Sequence, residues 1–157
     1  ALVHLCSSAF NEDYQQYLDN FGPATHVLCH EDGQLVSHAL WVERWLQPGN
    51  LPILRTAYVE GVCTDANCRG RGFASSVMQR IAEEVTPHFE LAALATGRFT
   101  FYAQHGWEQW LGATAVRTGA GIDHCPSEYV MILRLPRTPA LETTWPLSCE
   151  WRPGDIW

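Results

Sequence analysis

Apolar side chains recur every four positions between residues 72 and 86, from Phe73 to Val85. This spacing places them along one face of an α-helix. Pro87 follows directly, and because proline cannot donate the next backbone hydrogen bond, we expect the helix to end there. The pattern therefore predicts an amphipathic helix over 72–86.

Two further segments carry helical signals. In "FNEDYQQYLDNFG", Asn11 is a good N-cap, acidic residues fill the first turn, and Gly22 with Pro23 would end the helix. In "GRFTFYAQHGW", a short helix is predicted to stop at Gly106, because glycine easily adopts the left-handed conformation of a helix C-terminus. Both helices are expected to be short.

Strand-like runs lie between these helices. Two runs rich in β-branched and aromatic residues flank Asp32-Gly33, which is a strong signal for a two-residue hairpin turn. Other strand candidates are "RTAYVEGVCT", "ELAALAT", "WEQWLGATAV" and "EYVMILRL". The order predicts an α/β (α+β) fold, with helices on a mixed, partly antiparallel sheet. At 157 residues the chain fits a single domain over 1–157.

The composition and net charge of the chain limit the classes of molecule that it is expected to bind. Hydrophobic residues make up 46% of the chain and charged residues 17%, which is typical of a globular protein. Since no apolar run reaches the roughly 18 residues of a membrane span, we expect a soluble, cytoplasmic protein with no membrane partner. The net charge is −7, so a nucleic-acid partner is not expected, even with the "RGRG" sequence. The charge suits a cationic partner, although solubility alone also explains an acidic protein.

The six cysteines are scattered along the chain. There is no C-x-x-C pair, and neighbours such as Cys29-His30 lie too close together for the usual spacing of a zinc site. A domain of this size does not need disulfides. We therefore expect reduced thiols and no metal site.

The segment "CRGRGFASSVMQR" joins a predicted strand at 57–64 to the predicted helix. Amides at a helix start attract anions, and the two glycines would let the backbone approach a phosphate closely. The two arginines add positive charge. The spacing is neither that of a P-loop nor that of a dinucleotide-binding fingerprint. On its own, the segment is as compatible with an ordinary loop as with a phosphate site.

This loop fits the pattern [QR]-x-x-G-x-[GA] at residues 69–74, and "FYAQHGW" follows it. Together they resemble the acetyl-CoA-binding segment and the tyrosine element of GCN5-related N-acetyltransferases (GNAT). The resemblance implies a GNAT fold with a central mixed, mostly antiparallel sheet, acetyl-CoA as cofactor, coenzyme A as co-product and no metal. The cofactor-binding residues that it implies are Val62, Cys63, Thr64, Arg69, Gly70, Arg71, Gly72, Phe73 and Ala74.

Two further segments narrow the family. "YVEGV" and "CEWRPGDIW" resemble aminoglycoside 2'-N-acetyltransferases, which carry a C-[DE]-[WF]-R-x-G-D-x-W pattern. The resemblance implies direct transfer of an acetyl group to the 2'-amino group of aminoglycoside antibiotics, hence resistance, and it is compatible with a homodimer. The alternatives are a GNAT transferase acting on a polyamine, metabolite or protein amine, and an acyl-CoA-binding domain without turnover.

Glu60 and Tyr102 are the expected catalytic residues. A carboxylate within an apolar strand is unfavourable unless it is paired or functional, and the resemblance makes Glu60 the base that receives the ammonium proton through water. An ion pair with an arginine is the alternative. Tyr102 would stay protonated, since the ordinary pKa of tyrosine is about 10 against about 8.5 for a thiol, and would donate to the sulfur. A tyrosine among aromatic neighbours is also typical of a core.

The strand around Gly61 is expected to polarise the thioester carbonyl. A bulge at this glycine would expose the N–H of Val62 or Cys63 to the carbonyl oxygen. Cys63 as an acetylated nucleophile is disfavoured, because no histidine has a recognisable spacing to it and the family transfers the acetyl group directly.

Acceptor binding is assigned to acidic, aromatic and site-bordering residues. These are Asp13, Glu60, Gly61, Thr96, Asp123, Asp155 and Trp157, with Glu128 as a weaker candidate. In the last nine residues, 149–157, which we call the tail, carboxylates including Glu150 stand beside indole rings and suit a polycationic amino sugar. A frayed tail is the alternative, but its two tryptophans favour a docked segment.

Overall fold

The computed structural model describes residues 1–125 and 128–157. Its helices are α1 (Leu2–Phe10), α2 (Gln15–Phe21), α3 (Phe73–Val85) and α4 (Phe99–Ala103), with a 3-10 turn at Ala66–Cys68. Its strands are β1 (Ala24–Glu31), β2 (Gln34–Pro48), β3 (Leu54–Thr64), β4 (Leu91–Ala95), β5 (Glu108–Gln109), β6 (Thr114–Thr118), β7 (Gly121–Cys125), β8 (Val130–Arg134) and β9 (Leu147–Glu150). None of the described helices is long and apolar enough to cross a membrane.

The strands lie in the hydrogen-bonded order β5-β8-β4-β3-β2-β9-β6-β7, and β1 pairs with β2. The β3–β4 and β6–β9 pairs are parallel. The pairs β1–β2, β2–β9, β4–β8, β5–β8 and β6–β7 are antiparallel. The predicted fold class, a mixed and mostly antiparallel sheet with helices, is confirmed.

The chain forms two compact units. The first unit comprises residues 1–42 and 59–85, and the second comprises residues 43–58 and 86–157. In the first unit, a core cluster forms from α1, the start of α2 and β3, and its buried members are Leu5, Cys6, Tyr14 and Cys63. In the second unit, β4 is buried almost throughout, as its apolar sequence predicts. The single domain over 1–157 stays a prediction.

The local signals for the hairpin and the longest helix are confirmed. Asp32 and Gly33 have φ values of 48° and 79°, as a turn between twisted antiparallel strands requires. Helix α3 buries Val77, Ile81 and other apolar residues along one face, and it ends two residues before Pro87.

The prediction that Asn11 starts a helix is wrong. Asn11 follows the end of α1, where its φ of 57° is left-handed and its N–H donates to the Ser7 carbonyl. Asparagine tolerates this conformation better than most residues, so it ends helices as well as starting them. The following helix, α2, begins only at Gln15, whose N–H donates to the Asp13 carboxylate at 3.1 Å.

Candidate functional site

Gly61 lies within β3 in an unusual backbone conformation and in close contact with its neighbours. Its φ is 62°, and an added Cβ would lie 2.7 Å from the Tyr14 hydroxyl oxygen and 3.3 Å from His38 Cε1. The Gly61 carbonyl accepts a hydrogen bond from His38 Nδ1 at 2.9 Å. The distortion expected at this glycine is therefore present, and only glycine fits it.

Beyond Gly61, the end of β3 is held by β2. The buried Ser37 hydroxyl donates to the Cys63 carbonyl at 2.8 Å and lies 2.8 Å from the Thr64 hydroxyl. The Asp65 N–H donates to the Val36 carbonyl at 2.8 Å. This backbone is fixed from one side, which suits a segment that must present groups to a ligand without rearranging.

The glycine and arginine loop between β3 and α3 is open. Gly70 and Gly72 have φ values of 75° and 87°, and neither would bring an added Cβ within 4 Å of another atom. Space is thus left beside the backbone at the start of α3. The first amides of a helix have no carbonyl partner within it, so this is the place where an anion finds donors.

The two arginines of this loop differ. Arg71 donates to both carboxylate oxygens of Glu31, at 2.7 and 2.5 Å, and its guanidinium lies 5.1 Å from the centre of the Phe73 ring. This hydrogen bonding raises the pKa of Arg71. Arg69 is exposed and lies 3.5 Å from the Thr64 carbonyl oxygen. An anion would meet Arg69 directly but would share Arg71 with Glu31.

Glu60 is partly buried in β3 beside Gly61. Burial, followed by the charge of Glu60, raises the pKa of the Tyr14 hydroxyl. Tyr14 is only 6% exposed and therefore stays protonated next to this carboxylate and the Gly61 kink. Sequence reasoning missed Tyr14, because it stands at the start of α2 with no motif around it.

Tyr102 lies in the second unit, on α4, and is 7% exposed. Its ring makes edge contacts with Phe101 and Trp107, at centroid distances of 4.9 and 6.1 Å. Burial raises the pKa of Tyr102 to about 12, with Arg98 acting weakly in the opposite direction. The hydroxyl thus stays protonated at neutral pH, which both a core role and a donor role require.

The tail is docked in the second unit by Arg44, whose side chain is 3% exposed. Arg44 donates to the Glu150 carboxylate at 2.8 Å, to the Glu150 carbonyl at 2.8 Å and to the Ile156 carbonyl at 2.7 Å. Trp157 is 6% exposed, whereas Trp151 is 58% exposed. The docked tail is confirmed for Trp157, but Glu150 is neutralised by Arg44 and is not a free charge for a cation.

The remaining acceptor candidates lie on different elements. The Asp13 carboxylate accepts a hydrogen bond from the Gln15 N–H at the start of α2. The Thr96 hydroxyl accepts one from the Arg98 N–H at 3.0 Å. Asp123 is exposed on β7, and Asp155 is exposed in the tail. Glu128 lines an open cavity of about 700 Å³ within the second unit. The structure thus leaves Asp123, Glu128 and Asp155 as exposed acidic side chains.

Sequence reasoning also missed a cluster of buried cysteines and histidine in the first unit. Cys6 Sγ lies 3.6 Å from Cys63 Sγ and 3.4 Å from His38 Nδ1. The hydrogen bond from Cys63 lowers the pKa of Cys6 to about 5, and the same contact together with burial raises the pKa of Cys63. A histidine does stand near Cys63, contrary to expectation, but the raised pKa of its thiol disfavours Cys63 as a nucleophile.

A family model described as an acetyltransferase (GNAT) domain matches residues 2–110. The chain belongs to the GNAT family. A curated relative, the aminoglycoside 2'-N-acetyltransferase of Mycolicibacterium fortuitum, is 34% identical over 136 residues, which cover 83% of this chain and 69% of the relative. The predicted resemblance to both families is confirmed.

Solved structures agree on the GNAT fold. The GNAT family N-acetyltransferase YhbS of Escherichia coli, solved in complex with CoA, has a TM-score of 0.67 and 15% identity over 96% of this chain and 82% of its own. A probable N-acyltransferase of Enterococcus faecalis has a TM-score of 0.62 and 21% identity over 70% of this chain. The match covers only 30% of the Enterococcus chain.

Proposed function

We propose that this GNAT chain transfers the acetyl group of acetyl-CoA to the 2'-amino group of aminoglycoside antibiotics. The observation that carries the proposal is the 34% identity to the M. fortuitum aminoglycoside 2'-N-acetyltransferase, which extends over 83% of this chain. The net charge of −7 also suits a polycationic acceptor.

The open loop before α3 supports acetyl-CoA as the cofactor. Backbone amides at Gly72, Phe73 and Ala74 would receive the pyrophosphate, and Arg69 would add charge at the rim. Gly70 and Gly72 leave the space that this approach needs. The backbone from Val62 to Thr64 would pair with the pantetheine arm.

In the proposed reaction the neutral amine attacks the thioester carbon, the carbon–sulfur bond breaks, and coenzyme A leaves as the thiolate. Before the attack Glu60 receives the ammonium proton through water, and during it the N–H of Val62 or Cys63 stabilises the charge on the carbonyl oxygen. The second proton, released when the attacking nitrogen becomes an amide, passes through solvent and neutralises the thiolate. Tyr102, with its pKa raised to about 12, is a weaker acid than the thiol. It therefore acts by hydrogen bonding to the developing thiolate more than by complete proton transfer.

The acceptor is proposed to rest on exposed carboxylates, with Asp123 and Asp155 as the first candidates and Glu128 as a weaker one. Asp13, Gly61, Thr96 and Trp157 stay predictions as acceptor-binding residues. A homodimer and a cytoplasmic location also stay predictions.

A thiol-release assay with acetyl-CoA and a panel of amines tests the proposal. We expect release with gentamicin and tobramycin, and little with spermidine, lysine-containing peptides or simple metabolite amines. Turnover with only a polyamine, a peptide or a metabolite amine would show that this chain acts on a different acceptor. Binding of acetyl-CoA without turnover on any amine would favour an acyl-CoA-binding domain.

A further inference from the structure

Three buried side chains with metal-binding atoms converge inside the first unit. Cys6 on α1 and His38 on β2 have no exposed surface, and Cys63 on β3 is 6% exposed. The two thiol sulfurs and one ring nitrogen of His38 all lie within 4.8 Å of one another. Soft sulfur and imidazole donors in this combination are typical of zinc sites.

The spacing of these atoms agrees with a tetrahedral ion. With zinc–sulfur bonds of about 2.3 Å and zinc–nitrogen bonds of about 2.05 Å, tetrahedral angles place two sulfurs about 3.8 Å apart and a sulfur and a nitrogen about 3.6 Å apart. The observed separations are 3.6 Å for Cys6 Sγ to Cys63 Sγ and 3.4 Å for Cys6 Sγ to His38 Nδ1. These two separations lie within a few tenths of an ångström of the tetrahedral values, and the third, from Cys63 Sγ to the His38 nitrogen, is within 4.8 Å and would adjust to about 3.6 Å around an ion.

The other nitrogen of His38 is also supported. His38 Nε2 lies 3.0 Å from His26 Nδ1. A histidine that binds a metal through one nitrogen usually donates the N–H of the other nitrogen to an acceptor, and a neutral imidazole supplies one acceptor nitrogen. His26 therefore stands where the outer partner of a metal-binding histidine is expected.

We propose that Cys6, His38 and Cys63 bind one zinc ion in the first unit. The ion would join α1 to β2 and β3 beside Gly61. It would thereby stabilise the end of β3, which follows Gly61. His38 would bind through a deprotonated Nδ1, so its present hydrogen bond to the Gly61 carbonyl would be exchanged for the bond to the ion, with the remaining proton on Nε2 facing His26. The fourth tetrahedral position would go to a water molecule or to the Gly61 carbonyl oxygen, which lies 2.9 Å from His38 Nδ1. The role is structural and does not depend on the acceptor.

This proposal revises the prediction that no metal is bound. The three residues come from a helix and two strands and are separated by 32 and 25 positions, so no local spacing pattern points to them. A disulfide between Cys6 and Cys63 is the competing state. It would need an oxidant and a contraction of the sulfur separation to about 2.05 Å, and His38 would keep only its hydrogen bond to the Gly61 carbonyl and its contact with His26.

Titration of the reduced, metal-free protein with Co²⁺ tests the site. We expect about one Co²⁺ per chain, thiolate-to-cobalt charge-transfer absorption, the strong visible bands of tetrahedral cobalt, and displacement by Zn²⁺. Absence of these bands in the folded wild-type protein would overturn the proposal without any variant. So would formation of a Cys6–Cys63 disulfide with oxidised glutathione in a protein that binds no metal when reduced.

Variants locate the ligands. Cys6→Ser and His38→Gln are expected to weaken Co²⁺ binding at least tenfold and to alter its absorption. Cys29→Ser removes a partly buried thiol of β1 outside the cluster and is expected to leave both unchanged. Equal binding by Cys6→Ser and Cys29→Ser would contradict the site. Circular dichroism of each variant separates loss of the ligand from loss of the fold.

Discussion

At the residue scale, Gly61 offers a sharp test of the kink in β3. Gly61→Ala would combine a positive φ with a Cβ 2.7 Å from the Tyr14 hydroxyl oxygen. We expect the free energy of unfolding to fall by about 2 to 4 kcal/mol, measured by urea denaturation. Gly22→Ala is the control, because Gly22 has φ 71° and no atom within 4 Å of the added Cβ. A loss no larger than in this control would contradict the close contact.

Glu60→Gln tests the proposed base. Without the carboxylate, the acceptor amine must lose its proton to solvent, so the rate should fall most at low pH, where the amine is protonated. The measurement is turnover against pH at saturating acetyl-CoA. Glu90→Gln is a suitable control, since Glu90 accepts from the Arg55 N–H at 2.8 Å as part of the fold. An unchanged pH profile in Glu60→Gln would reject the role.

Tyr102→Phe tests the proposed donor. Burial disfavours the charged phenolate and raises the pKa of Tyr102 to about 12, so the hydroxyl is present throughout the range in which an ordinary tyrosine begins to ionise, near about pH 10. The wild-type rate should therefore show no loss from this group between pH 7 and about pH 10. Turnover should fall in Tyr102→Phe but not in the exposed Tyr129→Phe. Undiminished turnover would leave Tyr102 as a core residue only.

At the element scale, Arg44 holds the tail against β2. Arg44→Met would leave the Glu150 and Ile156 carbonyls without this donor, while the partly exposed Glu150 carboxylate would keep only the Trp45 N–H, so we expect a loss of about 1 to 3 kcal/mol in the free energy of unfolding. Arg80→Met removes the two exposed ion pairs of Arg80 with Glu83 and Glu84 on α3 and should change the free energy of unfolding by less than about 1 kcal/mol. Thermal or urea denaturation compares the two. Similar losses would mean that the docking of the tail contributes little.

Elements with strong local signals could be predicted from the sequence, and the others could not. The turn could be predicted because Asp-Gly readily adopts the positive φ values that Asp32 and Gly33 have in the structure. Helix α3 could be predicted because its apolar residues recur with the period of a helix. Helix α1 was missed because asparagine is favoured at both helix ends, so Asn11 did not reveal which end it marks. Strand β9 was missed because its partners, β2 and β6, are distant in the sequence. Strand β7 pairs with the neighbouring β6, but it is mostly exposed and has no alternation of apolar residues that would reveal it.

In the candidate site, too, some features could be predicted from the sequence and others could not. The glycines of the loop and the kink at Gly61 follow from residue type, since few other residues adopt their conformations. The pairing of Glu150 with Arg44 joins residues 106 positions apart, and the cluster of Cys6 with His38 joins residues 32 positions apart. Such contacts depend on the arrangement of strands, which no short motif records.

At the scale of the whole molecule, family and acceptor rest on different evidence. The GNAT family model matches residues 2–110, which include the cofactor loop and Tyr102. The proposed acceptor rests on the likeness to one 2'-N-acetyltransferase and on the net charge of −7. If the chain acetylates another amine, the assignment to the GNAT family stays and the proposed aminoglycoside acceptor is wrong.

Mass spectrometry of acetylated antibiotics tests the central claim most directly. Gentamicin and tobramycin carry an amine at the 2' position, whereas kanamycin A and amikacin carry a hydroxyl there. After incubation with the chain and acetyl-CoA, we predict a gain of one acetyl group on the first pair, located at the 2' nitrogen by fragmentation, and none on the second. Equal acetylation of both pairs, or of neither, would contradict the account.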